Sequence, residues 1–444
     1  LTTSFSGAGP DRPDQAARPQ QEPPESGRQT RERNDRELLE TAVAQALLTA
    51  ALASMGYLLH SWSLLQVSHR PGAGVTGIYA VEAGTGTPAP APAPAPRFLC
   101  MTTAVVPVGA PGVVSLSGPQ RQTLSVWAHP RDPLLPGLAW ATDPHAVSAA
   151  LFPPPDGCAI DRRPAGLRTT SYRPLRRAVL VAEHDGERRY LKVLRRGQAG
   201  AMGNRHRLLR DAGVPAPELV DVPGEDVVAM HAAAGRPLAE LLMRDGAAEV
   251  DPQVLVNLLR DLPASVLDLP RRLPWSARVR TYGEGAAAVL PSSAGRIHEL
   301  SAAIDDLVRR TDPGPVVPSH GDFYEANLVM AEGRVSGLLD VDALGPGHLV
   351  DDLACFLGHL AVLPAVNRRY VHAPAALERF GGAFERYVDP AGLHARAAAV
   401  ALTLVAGAKR RTTDGREAHG WAEDARARLD AAAALEAEAR RLLR

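Results

Sequence analysis

The chain has 444 residues, 45% of them hydrophobic and 22% charged, enough for two or three domains with cores of their own. Its 49 basic residues are matched by 49 acidic ones, so there is no global basic field of the kind that draws nucleic acid or an anionic membrane. Cys100, Cys158 and Cys355 are widely separated and have no metal-ligand spacing, which reads as small buried hydrophobes in a reducing cytosol.

Residues 1–35 are rich in Pro, Gly, Arg, Gln and Glu and poor in large apolar side chains, so a disordered tail is expected. They hold no apolar signal core, and a cytoplasmic location is expected. The Ala- and Leu-rich stretch 38–59 is about membrane length, but it contains Glu40 and Gln45. It reads as an amphipathic helix packed on the next domain.

Strands are expected at 62–67, 77–81, 98–101 and 123–127. The alternating Pro-Ala run 88–96 reads as a polyproline-like surface insertion between two of them. Gly72-Ala73-Gly74-Val75-Thr76-Gly77 matches the GxGxxG string, but a strand follows it where a dinucleotide site needs a helix. A glycine-rich hairpin turn is the better account. Ser68-His69-Arg70-Pro71 before this hairpin is echoed by Ser171-Tyr172-Arg173-Pro174 before the next, 103 positions later.

Residues 175–182 and 189–194 read as a second hairpin around His184-Asp185-Gly186-Glu187. Lys192, between apolar neighbours on its second strand, is either an edge-strand charge with its stem on the sheet or a cation for donor phosphates. Gly213-Val214-Pro215-Ala216-Pro217 is a linker, 218–222 and 226–230 read as further strands, and 235–242 opens a helix with Pro237 near its first turn.

The segment Ser319-His320-Gly321-Asp322-Phe323-Tyr324-Glu325-Ala326-Asn327, followed by Gly337-Leu338-Leu339-Asp340, carries chemistry. Phosphoryl transfer from a nucleotide needs an acid-base group at the incoming hydroxyl and oxygen ligands for Mg²⁺. Asp322 would accept the hydroxyl proton, while Asn327, five positions later, and Asp340 would hold the metal. Strands at 327–330 and 335–339 around Ala331-Glu332-Gly333-Arg334 would bring Asn327 and Asp340 to one ion. Any single Asp here could instead serve a turn or helix cap. That reading is preferred for Asp351 and Asp342, with Asp342 a further candidate ligand because it lies two residues beyond Asp340.

The ordered set His320, Asp322, Asn327, Asp340 and Asp352 resembles the aminoglycoside phosphotransferase and choline kinase-like family, small-molecule relatives of protein kinases. The resemblance implies an α+β, protein kinase-like bilobal fold. A small β-rich amino lobe would span 161–235 and a mainly helical carboxy lobe 236–444, behind an α+β cap at 36–160 that resembles half of an amino lobe. It further implies that Lys192 (in Tyr190-Leu191-Lys192-Val193) contacts the donor phosphates and that a hinge from Met230 to Gly235 pairs with adenine. His320 and Asp352 would brace the catalytic loop. The implied cofactors are ATP, with GTP left open, and Mg²⁺.

The chain departs from the family pattern in one respect. The family's glutamate on the helix after the lysine strand has no counterpart between Met202 and Asp211. Lys192 is thereby expected to lack an ion-pair partner, with Gln198 a neutral substitute. Helices at 374–387, 393–409 and 421–443 would wall the acceptor pocket. Their acids Glu385, Asp414, Glu417 and Asp424 are interspersed with Lys409, Arg410, Arg411 and Arg416, so no acceptor residue is named. The expected reaction is phosphorylation of a hydroxyl on a small polar molecule such as an aminoglycoside, amino sugar or sugar, with no nucleic acid or membrane partner and no legible oligomeric state. The alternative is a catalytically silent nucleotide-binding pseudokinase, and a protein-serine kinase is a third, less favoured reading.

Overall fold

Alternating apolar and polar side chains from Tyr57 onward build the first of two antiparallel five-stranded sheets in the computed structural model, which describes residues 34–70, 74–85, 95–119, 122–153, 163–409 and 419–444. The sheet comprises β1 (Tyr57–Arg70), β2 (Gly74–Thr85), β3 (Phe98–Thr102), β4 (Val113–Ser117) and β5 (Thr123–Ala128), in the order β1-β2-β3-β5-β4. The helix Val43–Ser54 lays Ala44, Leu47, Leu48, Ala51 and Leu52 on it, a spacing that puts all five on one helical face. The expected helix across 38–59 is therefore shorter. Gly56 takes a φ of 86° and the chain turns into β1 at Tyr57. Strand β4 carried no clear sequence signal, since it is short and only half buried.

The second sheet repeats the same order. It is built from β6 (Gly166–Arg173), β7 (Arg177–His184), β8 (Glu187–Val193), β9 (Leu219–Val220) and β10 (Val227–His231), arranged β6-β7-β8-β10-β9. The faint repeat around Ser68 and Ser171 thus precedes the second strand of two sheets of like topology. One face of this sheet, including Ala178, Leu180, Leu191, Val193 and Val227, is covered by Leu135, Leu138, Ala141, Val147 and Leu151 from the helical stretch that follows the first sheet. The alternation along β8 turns Lys192, between Leu191 and Val193, to the opposite face.

Beyond residue 236 the chain is mainly helical. Helices Pro144–Leu151, Pro252–Arg260 and Pro390–Thr403 begin with the same local device, an Asp cap whose carboxylate accepts first-turn amides with Pro in the first helical position. Leu349–Val366 and Pro390–Ala408 are long and apolar enough to cross a membrane by length and composition, but 61% and 72% of those windows are buried inside the fold. Phe323, Phe356, Phe380 and Phe384 form an aromatic core, with Phe356 and Phe380 centroids 5.0 Å apart.

Short strands β11 (Arg236–Pro237), β12 (Val317–Ser319), β13 (Leu328–Ala331), β14 (Arg334–Leu338) and β15 (Gly345–Gly347) line the junction between sheet and helices. β11 pairs with β13, β13 with β14, and β12 with β15. A small sheet over a mainly helical unit is the bilobal α+β arrangement expected. The tail residues 1–33, Gly72-Ala73, residues 86–94, Cys158, Arg410, Arg411, Asp414, Arg416 and Glu417 lie outside the described residues, whereas Cys100 and Cys355 are buried and reduced.

Gly358 sits where helices Leu349–Val366 and Pro390–Thr403 touch, and an added Cβ would lie 2.6 Å from the Val400 Cβ. Gly358→Ala is expected to destabilise the fold by about 1–3 kcal/mol through overpacking, read as a lowered denaturation midpoint. An unchanged midpoint would show that the two helices can part.

Candidate active site

The loop at 319–327 is shaped by one buried carboxylate. Asp352, 1% exposed, accepts from Ser319 Oγ at 2.9 Å, His320 N–H at 2.9 Å and Gly321 N–H at 2.8 Å. Burial nevertheless pushes its carboxyl up to about 7. Gly321 adopts a φ of 78°, and a side chain there would meet the Ala343 carbonyl at 2.8 Å. The next residue, Asp322, is thereby turned out of the loop while Phe323 is buried in the aromatic core. His320 is fully buried, and its Nε2 donates to the Leu339 carbonyl at 2.9 Å. Burial holds its imidazole below the ordinary histidine range, which fits a strut.

The β13–β14 hairpin returns the chain to this loop. Asn327 follows directly on the loop and accepts at its backbone carbonyl from Leu339 N–H at 2.8 Å. Its Nδ2 donates to the Asp322 carbonyl at 2.9 Å, which turns the amide oxygen away from the loop backbone. Asp340 follows Leu339 in the left-handed conformation, φ 51°, which Asp tolerates better than most residues. Asn327, Asp322 and Asp340 are thus drawn together at the open end of the β13–β14 hairpin.

Lys192 reaches across to them. Its Nζ donates to Asp340 Oδ1 at 2.8 Å and to Asp342 Oδ1. Arg177, two residues from Val179 and on the same face of the sheet as Lys192, donates to Asp342 Oδ2 at 2.8 Å and stands 3.9 Å from Asp340. The expectation that Lys192 lacks an ion-pair partner is corrected: its carboxylates come from the loop after β14. Gln198, the suggested substitute, is exposed at the start of helix Ala199–Asp211. That helix turns Arg205 inward instead of an acid, 9% exposed and electrostatically coupled to Asp342.

The preferred reading of Asp342 as a turn residue is corrected on the same ground. Asp351 sits in the first turn of its helix, 3.3 Å from Ser276 Oγ and 3.5 Å from Arg396 Nε.

The electrostatics set Asp322 apart. Burial, reinforced by the charge of Asp340 and opposed by Arg177, pushes its carboxyl up to about 6. Asp340 also suffers desolvation, but Lys192 beside it holds its carboxyl below the ordinary value. Two neighbouring carboxylates therefore differ in proton affinity, an arrangement suited to one base and one permanently charged ligand. Among the described residues no three His, Cys, Asp or Glu side chains converge as a cage for a metal. Met230 lies on β10 opposite Tyr190, half buried, at the start of the connection to β11.

Residues 175–386 match the model of the phosphotransferase enzyme family. Over that segment the chain is similar to the family. The segment contains every site residue named above, from Arg177 to Asp352, and the match supports a kinase with a hydroxyl acceptor. No curated protein matches the chain.

Among solved structures, a choline/ethanolamine kinase family protein from Mesorhizobium loti is 18% identical, with a TM-score of 0.43 over 67% of this chain and 97% of that one. A spectinomycin phosphotransferase in complex with ADP and spectinomycin is 13% identical, TM-score 0.41, over 62% and 94%. A choline kinase from Cryptosporidium parvum is 13% identical, TM-score 0.39, over 62% and 89%. The family model carries the assignment.

Arg177, Arg205 and Trp275, whose side chain opposes the rise at Asp322, were not singled out by motif. Only the basic pair Arg176 and Arg177 at the start of the matched segment hinted at the first. Asp352→Asn is expected to cost about 1–3 kcal/mol of stability, because its amide would set a donor against one of the amides it now accepts. Chemical denaturation checks this, and a variant as stable as the parent would remove Asp352 as the brace.

Proposed function

We propose that the chain transfers a phosphoryl group from ATP, with Mg²⁺, to a hydroxyl on a small polar molecule. The observation that carries the reading is the pair of unlike carboxylates. Asp322 is raised to about 6, beside an Asp340 held ionised by Lys192. Asp322 is assigned as the base that takes the proton of the incoming hydroxyl. Lys192 and Met230 are assigned to the nucleotide, the lysine at its phosphates and the Met230 backbone at the adenine edge. His320 and Asp352 hold the loop.

The donor set suits Mg²⁺, since Asp340 and the Asn327 amide offer hard oxygens. Two protein ligands are the usual complement when phosphates and water supply the rest. When bound, Mg²⁺ neutralises charge on the transferred phosphoryl group. With that charge offset, the chain's own tasks are to orient the donor through Lys192 and to receive one proton at the Asp322 carboxylate. The missing helix glutamate motivated the silent reading, and the carboxylates on Lys192 supply the charge it was thought to lack. Spectinomycin and choline describe the solved relatives, and the acceptor class proposed here is coarser: a small molecule with a free hydroxyl.

Asp322→Asn is expected to lower turnover by on the order of 10²- to 10⁴-fold with MgATP affinity nearly intact. A panel of hydroxylated metabolites and antibiotics, read by release of ADP, tests it, and equal turnover would remove the base. Because a base works only when ionised, kcat/KM should fall as pH drops through about 6, about two units above an ordinary aspartate. An acidic limb near pH 4 would separate the titrating group from Asp322.

A further inference from the structure

The turn that carries Arg177 into the site is held from outside the phosphotransferase segment. Between β6 and β7 the chain passes through Leu175 at φ 63°, a left-handed conformation that a branched residue adopts only when its surroundings impose it. Its N–H donates to Asp132 Oδ2 at 2.8 Å, and its carbonyl accepts from Arg195 Nε at 2.5 Å. Tyr172, three residues earlier, donates its hydroxyl hydrogen to the same Asp132 oxygen at 2.8 Å. The other Asp132 oxygen accepts Leu134 N–H at 2.9 Å. The Leu175 side chain is buried with Cys100 of β3 and Trp127 of β5, from the first sheet.

Asp132 is 5% exposed and belongs to the connection between the first sheet and the helices that cover the second. A buried carboxylate accepting this many donors is a rigid post. Two residues beyond the peptide it holds, Arg177 meets Asp342 and Asp340. Leu175 stays in its unfavourable conformation because the amino-terminal unit grips it on both main-chain and side-chain atoms. The direction of β7, and with it the guanidinium at the donor end of the cleft, follows from that grip.

We propose that Asp132 is a positioning residue for the donor phosphates, acting through the Leu175 turn to hold Arg177 as a second phosphate cation beside Lys192. The amino-terminal unit is then part of the nucleotide site at one remove, and changes in how it packs are felt there. The inference rests on the proposed use of this cleft for ATP.

Calorimetric titration of the full chain with MgATP and, separately, adenosine tests it without an acceptor. Asp132→Asn places an amide NH₂ against one of the N–H donors the carboxylate now accepts. It should weaken MgATP about tenfold and leave adenosine unchanged, because the defect lies at the phosphates. Arg177→Gln should do the same. In the double variant Asp132→Asn/Arg177→Gln the two losses should not multiply, as expected of residues acting through one contact. Tyr172→Phe, a milder change for use if Asp132→Asn does not fold, should weaken MgATP about threefold.

A structural role alone would lower thermal stability and leave the ratio of MgATP to adenosine affinity where it was. That outcome, or losses that multiply in the double variant, overturns the positioning role. Failure of the unaltered protein to bind MgATP overturns the reading of function, and this inference with it.

Discussion

A lysine turned to the inner face of a sheet has to find negative charge, because removing an ammonium from water without a partner costs several kcal/mol. Lys192, 7% exposed, finds it in Asp340 and Asp342, 148 and 150 residues further along the chain. Arg177 shares the same two carboxylates. This cluster spans the junction between the small sheet and the helical unit, so the charges that hold the two together are also those assigned, under the proposed function, to the donor phosphates. Its net charge is near balance in the absence of ligand. Under the proposed function, a polyphosphate with a divalent cation would enter by exchanging partners within the cluster, which avoids stripping bare ions of water.

The rest of the site is arranged around that cluster by main-chain hydrogen bonds. Asp352 gathers two consecutive amides and a serine hydroxyl, and His320 ties the loop to the end of β14. Leu338 N–H donates to the Pro215 carbonyl at 2.8 Å, so the linker after helix Ala199–Asp211 is fastened to the same hairpin. Each tie crosses between elements distant in sequence. Together they leave Asp322 a carboxylate in a partly dry environment beside a second negative charge, the combination that raises its proton affinity.

An acidic residue missing from one helix predicts a lysine without a partner, because a motif assigns partners by position along the chain. Charge complementarity is satisfied by proximity, and here the helix turns a buried arginine toward the site while the acids come from the loop after β14. The same applies to Asp132, which no motif marks and which holds a turn 43 residues away. By contrast, the hairpins around Gly186 and Gly333 and the three Asp-Pro helix starts are local, and their signals lie within a few residues of the structures they produce.

From its sequence alone this protein disclosed the His-Gly-Asp loop, the hairpin behind it and the lysine strand, because each is a short-range pattern whose spacing is dictated by backbone geometry; the bilobal α+β plan came through the family resemblance that those residues carry. Tertiary structure decided which charges face Lys192, that Arg177 stands beside it, and that the first sheet grips the turn before β7. Those outcomes depend on which surfaces come together when the cores close. Contacts across 40 to 165 residues leave no trace in local spacing.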